Sequence, residues 1–233
     1  MAKWTFDQAA TKRDLAAFFQ RRTTDLRSFG STVNQTFEAF VYASVVQWYR
    51  DRRWRVSIIN PINKRTKKRQ FKLKFSTRGA PANFSYAIAK KRKSTIQIRH
   101  QLRVSTSAHQ NDSGFYANIC LDVAVIKDVD LAHYKTYHAV PNRYLITFGE
   151  AKHMSAFAEL IAGFIGLVHE LQLSRLSGVR KGKRRKRWHV APFLFVSGLL
   201  WSTAKGLEFT IQHRKFDIDI YSSGKQLSLA FSR

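Results

Sequence analysis

Two stretches of this chain, residues 116–126 and 144–152, are apolar at most positions rather than at every second one. A strand with one wet face alternates apolar and polar side chains, so runs like these need cover on both faces of their sheet. Residues 155–173 follow the second run and are hydrophobic almost all round, which predicts a helix buried against that sheet. Residues 193–197 read as a further short apolar strand. Ahead of these, Val33, Phe37, Phe40, Val41, Val45 and Trp48 recur at three- and four-residue steps. They follow a Thr32/Gln35 capping-box pattern, predicting a helix that ends near Asp51 or Arg52. Helix, strands, helix and strand in this order predict a mixed α/β (α+β) fold, a central mixed sheet flanked by helices.

Shorter signals cover the rest. Residues 6–29 carry Leu15, Phe18, Phe19 and Leu26 at helical spacing and stop at Phe29-Gly30-Ser31. Residues 54–60 read as a strand stopped by Asn60-Pro61. In 96–105, Ile96, Ile98, His100, Leu102 and Val104 alternate with polar residues, as in a half-buried strand. Residues 127–143 read as a loop or short helix. Residues 208–212, 216–221 and 226–231 read as strands, the last two forming a C-terminal β-hairpin through Ser222-Ser223-Gly224. Without repeats or Pro- or Ser-rich linkers, 1–233 is expected to form one domain: a helical extension over 1–29, a core over 30–200 and strands over 201–233.

Charge narrows the partners. Of 233 residues, 41 are Lys or Arg and 15 are Asp or Glu, a formal net charge of +26. Hydrophobic residues make up 44%, so the chain has the apolar content to fold, and a polyanion would relieve its self-repulsion. Nucleic acid is the leading candidate. The charge is bunched in three clusters: Lys64, Arg65, Lys67, Lys68 and Arg69, with Lys72 and Lys74 behind them; Lys90, Lys91, Arg92 and Lys93; and Arg180, Lys181, Lys183, Arg184, Arg185, Lys186 and Arg187. Binding through them is expected to follow phosphates rather than base sequence and to weaken steeply with salt. Trp188, Tyr134 and Tyr137 are candidates to stack on bases, core packing being the alternative. The single cysteine, Cys120, leaves no internal disulfide. Neither 154–168 nor 190–201 offers the ~20 apolar residues of a spanning helix, so a cytoplasmic protein without a membrane partner is expected.

With acids so scarce, those in apolar surroundings stand out. Asp122 lies in the middle of Asn118-Ile119-Cys120-Leu121-Asp122-Val123-Ala124-Val125-Ile126, and Glu150 and Lys152 end the next apolar run. Residues two apart on a strand share a face, so Glu150 and Lys152 project together with Ala151 turned away. Two buried carboxylates on adjacent strands repel unless a cation lies between them, and a hard, oxygen-seeking ion such as Mg²⁺ (or Mn²⁺) suits that place. Glu38, at the margin of the apolar stripe of the early helix, could lean toward the same ion. Metal-held carboxylates can activate water and neutralise phosphate charge, with the Lys152 ammonium orienting the water or stabilising the transition state.

Asp122 on one strand, Glu150-Ala151-Lys152 ending the next and a helix directly after resemble the PD-(D/E)xK nuclease superfamily, which includes restriction-endonuclease-like enzymes and Holliday-junction resolvases. The resemblance covers roughly residues 30–200 and implies a restriction-endonuclease-like αβββαβ core. It also implies Asp122 and Glu150 as metal ligands, Lys152 as catalytic lysine and Glu38 as an auxiliary helix carboxylate. Leu121 stands where the family has proline. The expected activity is therefore metal-dependent phosphodiester hydrolysis by an endonuclease-like enzyme, with double-stranded DNA as substrate. Indiscriminate cutting would endanger a host, which points to phage defence or DNA repair and to a regulatory protein partner or homodimer. The alternative is a non-catalytic basic DNA- or RNA-binding protein in which Glu150 and Lys152 form an ordinary same-face ion pair.

Several weaker features have plain readings. Glu159 fits an acid at a helix N-terminus, with a peripheral place in the site as the alternative. Asp128, Asp130, His133 and His138 offer a rival metal set, but their spacing matches no structural zinc pattern and a polar loop is the simpler reading. His153 reads as a surface histidine, and Asp217 and Asp219 as solvent-facing residues of the hairpin.

Overall fold

The computed structural model describes residues 6–21, 23–109, 117–135, 138–177 and 188–222. Seven strands form one mixed sheet in sequence order: β1 (Arg55–Ile59), β2 (Tyr86–Lys91), β3 (Ser94–Ser105), β4 (Asn118–Lys127), β5 (Leu145–Lys152), β6 (Phe193–Val196) and β7 (Asp219–Ser222). β1 to β5 are antiparallel; β5, β6 and β7 run parallel. Helices α1 (Gln8–Phe18) and α2 (Val33–Asp51) precede the sheet, α3 (Ala158–Gln172) links β5 to β6, and α4 (Ser202–His213) links β6 to β7. A parallel connection needs a crossover, which these two helices provide. The fold is mixed α/β, as expected.

Helix α2 begins at the predicted cap. Thr32 Oγ1 accepts from Gln35 N at 3.3 Å, and Gln35 Oε1 accepts from Thr32 N at 3.5 Å. Gly30, at φ +99°, makes the preceding turn, and a Cβ there would lie 2.5 Å from that of Gln35. Phe37, Val41, Val45 and Tyr49 are buried in a core on the α2 side that includes Ile96, Ile98, Val123, Val125, Ala151, Phe193 and Phe195. A second core, around α3 and α4, gathers Leu102, Leu121, Ala124, Phe148, Ile161, Phe164, Leu194 and Val196. Cover on both faces is what the doubly apolar β4 and β5 required.

Three expectations need correction, and one strand has no counterpart among them. Residues 208–212 are not a strand; they belong to α4, whose Ala204 and Ile211 are buried seven residues apart, a helical spacing. β2 carries no clear strand signal in the sequence, because its inward residues are the small Ala87 and Ala89 and it runs into Lys90 and Lys91. α3 buries one stripe (Ile161, Phe164, Val168, Leu171) and leaves Ala162, Gly163 and Gly166 exposed, so it is not enclosed all round. Residues 6–29 divide into α1 and a 3₁₀ segment, Thr23–Phe29. The hairpin partner at 226–231 lies outside the described residues, and β7 instead pairs with β6. Among the described residues, no helix is long and apolar enough to cross a membrane.

Candidate active site

The site lies where the sheet is interrupted. Gln101 has φ 50°, a left-handed backbone inside a strand. Upstream of it, Ile96 and Ile98 face the α2 core, whereas downstream Leu102 and Val104 join the other core. β4 changes sides at the matching level, Val123 belonging to the first core and Leu121 to the second. The pairs His100↔Val123 and Leu102↔Leu121 bracket this level, so Gln101 and Asp122 stand opposite each other at the exchange.

On the other side of β4, the ladder with β5 stops at Val123↔Gly149. One residue further, Asp122 Oδ2 accepts a hydrogen bond from Ala151 N at 2.9 Å. A buried side chain thus satisfies a backbone donor where the ladder has ended. Ala151 is turned into the α2 core, while Glu150 and Lys152 are in register with Leu194 and Val196 of the opposite core. The predicted alternation along β5 is present.

Lys152 Nζ lies 2.8 Å from Glu150 Oε2 and 3.2 Å from Asp122 Oδ2. The three side chains expected to converge do so, and the contact expected of an ordinary ion pair is present as well. Both carboxylate side chains are 12% exposed and that of Lys152 is 39% exposed. Burial lowers the affinity of Lys152 for its proton, but the charges of Glu150 and Asp122 outweigh it and hold the ammonium above its ordinary value. Burial, and after it the Asp122 charge, pushes Glu150 above the usual carboxylate range despite Lys152. Glu150 Oε1 is buried with no hydrogen-bond partner.

Glu38 approaches from α2. Its Oε2 accepts from Gln101 Nε2 at 2.8 Å and lies 3.6 Å from His100 Nε2. Burial and the nearby Asp122 charge push its carboxyl up to about 7, partly opposed by Gln101 and Lys152. Glu38 is therefore within electrostatic reach of Asp122 and Lys152, while its hydrogen bond goes to Gln101. Burial lowers His100 to about 4, so it is neutral at pH 7 and supplies no cation. Sequence reasoning missed His100 and Gln101 as neighbours of the site. Gln101 carried no signal, because a polar residue fits the expected alternation there.

Among the described residues, no three His, Cys, Asp or Glu side chains form a ready-made cage for a metal ion. The rival set is dispersed on its own tasks: Asp128 accepts from Gln97 Nε2 at 2.8 Å, Asp130 caps Ala132 N at 2.8 Å, and His133 and His138 pack beside Tyr134. Glu159 stands exposed in the first turn of α3, as expected of a helix N-terminal acid. His153 is half-buried against Phe6 and Phe37 rather than on the open surface. Asp217 is buried and ion-paired with Arg175, contrary to the solvent-facing expectation, and Asp219 accepts from Tyr221 Oη at 3.1 Å. No family model, curated protein or solved structure matches the chain.

Two basic clusters lie among the described residues. Lys64, Arg65, Lys67, Lys68 and Arg69 are exposed on a turn that Asn63 organises, its Oδ1 accepting from Arg65 N at 2.9 Å and Thr66 N at 3.2 Å. Lys72 is exposed, but Lys74 is buried beside the core. Lys90, Arg92 and Lys93 are exposed where β2 turns into β3. Lys91 there donates to Arg52 O at 2.7 Å and, with Arg92, lies over the half-exposed Trp188 ring. Arg180, Lys181, Lys183, Arg184, Arg185, Lys186, Arg187 and Tyr137 lie outside the described residues. Tyr134 is half-buried and packs against the α3-side core.

Proposed function

We propose that this chain is a metal-dependent nuclease of the PD-(D/E)xK type, cleaving DNA by hydrolysis at Asp122, Glu150 and Lys152. The reading rests above all on the convergence of these three side chains at the end of β5, with Glu38 within electrostatic reach. An α2–β3–β4–β5–α3–β6 order, with β6 parallel to β5, is what the family's core would require.

The donor set suits Mg²⁺ or Mn²⁺. Such ions commonly take one or two protein carboxylates and complete their shell with water and substrate phosphate, so a cage of three ligands is not needed. Glu150 Oε1, buried and without a donor, is a free hard oxygen of the required kind. Asp122 and Glu150 would hold the ion, with Glu38 near its shell; the ion would supply charge neutralisation on the phosphate and a more acidic water.

The chain's own groups have distinct tasks. Asp122 is fixed by Ala151 N, so its carboxylate is oriented before any ligand arrives. Lys152, the most exposed of the three, is aimed by two carboxylates and remains protonated, which suits a donor to the attacking water or to a non-bridging phosphate oxygen. The 64–69 turn and the 90–93 tip would grip the backbone. Thr95, opposite Lys90, is six residues along β3 from Gln101, about 20 Å. That corresponds to roughly six base pairs of duplex, so the grip at the tip is remote from the cut.

The test compares wild type with Glu150→Ala and Lys152→Ala on plasmid and linear DNA, with Mg²⁺ and with chelator. Wild type should cut only with metal, and each variant should lose about 10²-fold or more. Cleavage that survives chelator, or both substitutions, removes the mechanism. Tight binding without any cleavage leaves the basic binding protein as the reading.

A further inference from the structure

We infer that the surface beyond the ends of β5 and β6 is a stacking platform for unpaired nucleotides, which makes single-stranded or branched nucleic acid the preferred substrate of the adjacent site. The inference rests on the nucleic-acid reading above and refines it. Met154, Phe157, Leu199 and Trp201 are 41%, 42%, 57% and 64% exposed. They come from two segments, one leaving β5 two residues after Lys152 and the other leaving β6. Clustered exposed apolar side chains mark a contact surface, whereas single ones need no explanation.

The two segments are locked together. Ala156 N donates to Leu199 O at 2.9 Å, Trp201 N to Ala156 O at 2.9 Å, Gly198 N to Met154 O at 3.0 Å and Ser197 N to Lys152 O at 3.0 Å. Ser155 Oγ accepts from Leu199 N at 3.2 Å. A Cβ on Gly198 would lie 2.4 Å from that hydroxyl, so the close approach requires glycine. The aromatic groups thus sit on a braced support continuous with the strand that carries Glu150 and Lys152.

Phe157 and Trp201 are also the N-cap residues of α3 and α4, and neither helix has a side-chain cap. Ser, Thr, Asp or Asn ordinarily fills that position. Here the positive end of α4 lies beside the exposed Trp201 ring, while that of α3 is already met by Glu159, at the carboxyl end of parallel strands where α/β folds bind ligands. Two exposed rings beside one open positive helix end match a strand of bases and phosphates. A second copy of the chain fits less well, since each copy carries a net charge of +26.

The test is equilibrium binding of the full chain in chelator, read by fluorescence anisotropy. The probes are a plain duplex, the same duplex with a single-stranded overhang, and that probe with abasic sites in the overhang. Wild type should favour the intact overhang about tenfold and lose the preference on the abasic one. Trp201→Ala combined with Phe157→Ala should abolish the preference while binding plain duplex as wild type does; Trp201→Phe should retain most of it. An unchanged preference in the double variant, or equal binding to abasic and intact overhangs, overturns the inference. A dimer in sedimentation that Trp201→Ala dissociates would also overturn it, assigning the surface to a second copy. Chelator keeps cleavage out of the measurement, so a chain that shows the preference without cutting sinks only the nuclease reading. A chain that cuts without the preference sinks only the platform.

Discussion

Replacing Glu38 by Gln should stabilise this protein at pH 8 and only slightly at pH 5. The hydrogen bond from Gln101 Nε2 to Glu38 Oε2, 2.8 Å long, can also be accepted by an amide oxygen, so the substitution chiefly removes a charge. Burial, then the Asp122 charge, raises the Glu38 carboxyl from 4.5 to about 7 in the folded protein. Between those values the folded chain holds a proton that the unfolded chain has released. The stability contributed is complete below about 4.5 and is lost as pH rises through about 7. Above that range the loss approaches roughly 3 kcal/mol, reduced to about 2 kcal/mol by the solvent that reaches the side chain. Glu38→Gln avoids this loss, for a Tm about 4–8 °C higher at pH 8. His100, lowered by burial to about 4, gives the opposite slope as pH falls below 6.5; although it lies 3.6 Å from Glu38, it is neutral in the folded protein at both pH 5 and pH 8 and so adds the same contribution to both proteins there. Thermal melts of both proteins by circular dichroism, at pH 5 and pH 8 in chelator, read the effect. A variant less stable than wild type at pH 8, or offset equally at both pH values, would show that ionised Glu38 supports the fold rather than straining it.

Two further outcomes follow from the geometry. Changing Lys64, Arg65, Lys67, Lys68 and Arg69 to Ser should weaken DNA binding similarly for all sequences and reduce the slope of log K against log salt by about 0.9 for each phosphate that the turn no longer neutralises; filter binding across a salt series checks this, and an unchanged slope would exclude the turn from the interface. Gly149→Ala should destabilise by about 1–3 kcal/mol in urea titration, because the new Cβ would fall 2.0–2.5 Å from the Phe193 ring; an unchanged midpoint would mean that the ring moves freely.

Much of the site was legible because its signals are local. Glu150, Ala151 and Lys152 alternate on one strand, and alternation follows from backbone geometry alone. Asp122 was marked by its apolar neighbours, since an acid in such a run needs a partner. The Gln101 interruption was not legible: its left-handed backbone holds a residue type that fits an unbroken strand equally well. The partners of Glu38 were hidden for the same reason, as Gln101 and His100 lie 63 and 62 residues further along the chain. α4 is hidden in the sequence because 208–212 alternates apolar and polar residues as a strand does, and its helical period emerges only with the burial of Ala204.

The sequence by itself determined the helix periods, the two-sided burial of β4 and β5, the cap that starts α2 and the large positive charge. Each is a property of neighbouring residues or of a sum over the chain. Tertiary structure alone decided that β3 and β4 exchange faces at one level, that Asp122 takes the Ala151 N–H where a ladder ends, and that the segments leaving β5 and β6 are hydrogen-bonded to each other just beyond Lys152. Such pairings join residues tens of positions apart, and their free energy depends on distances that only the folded backbone sets.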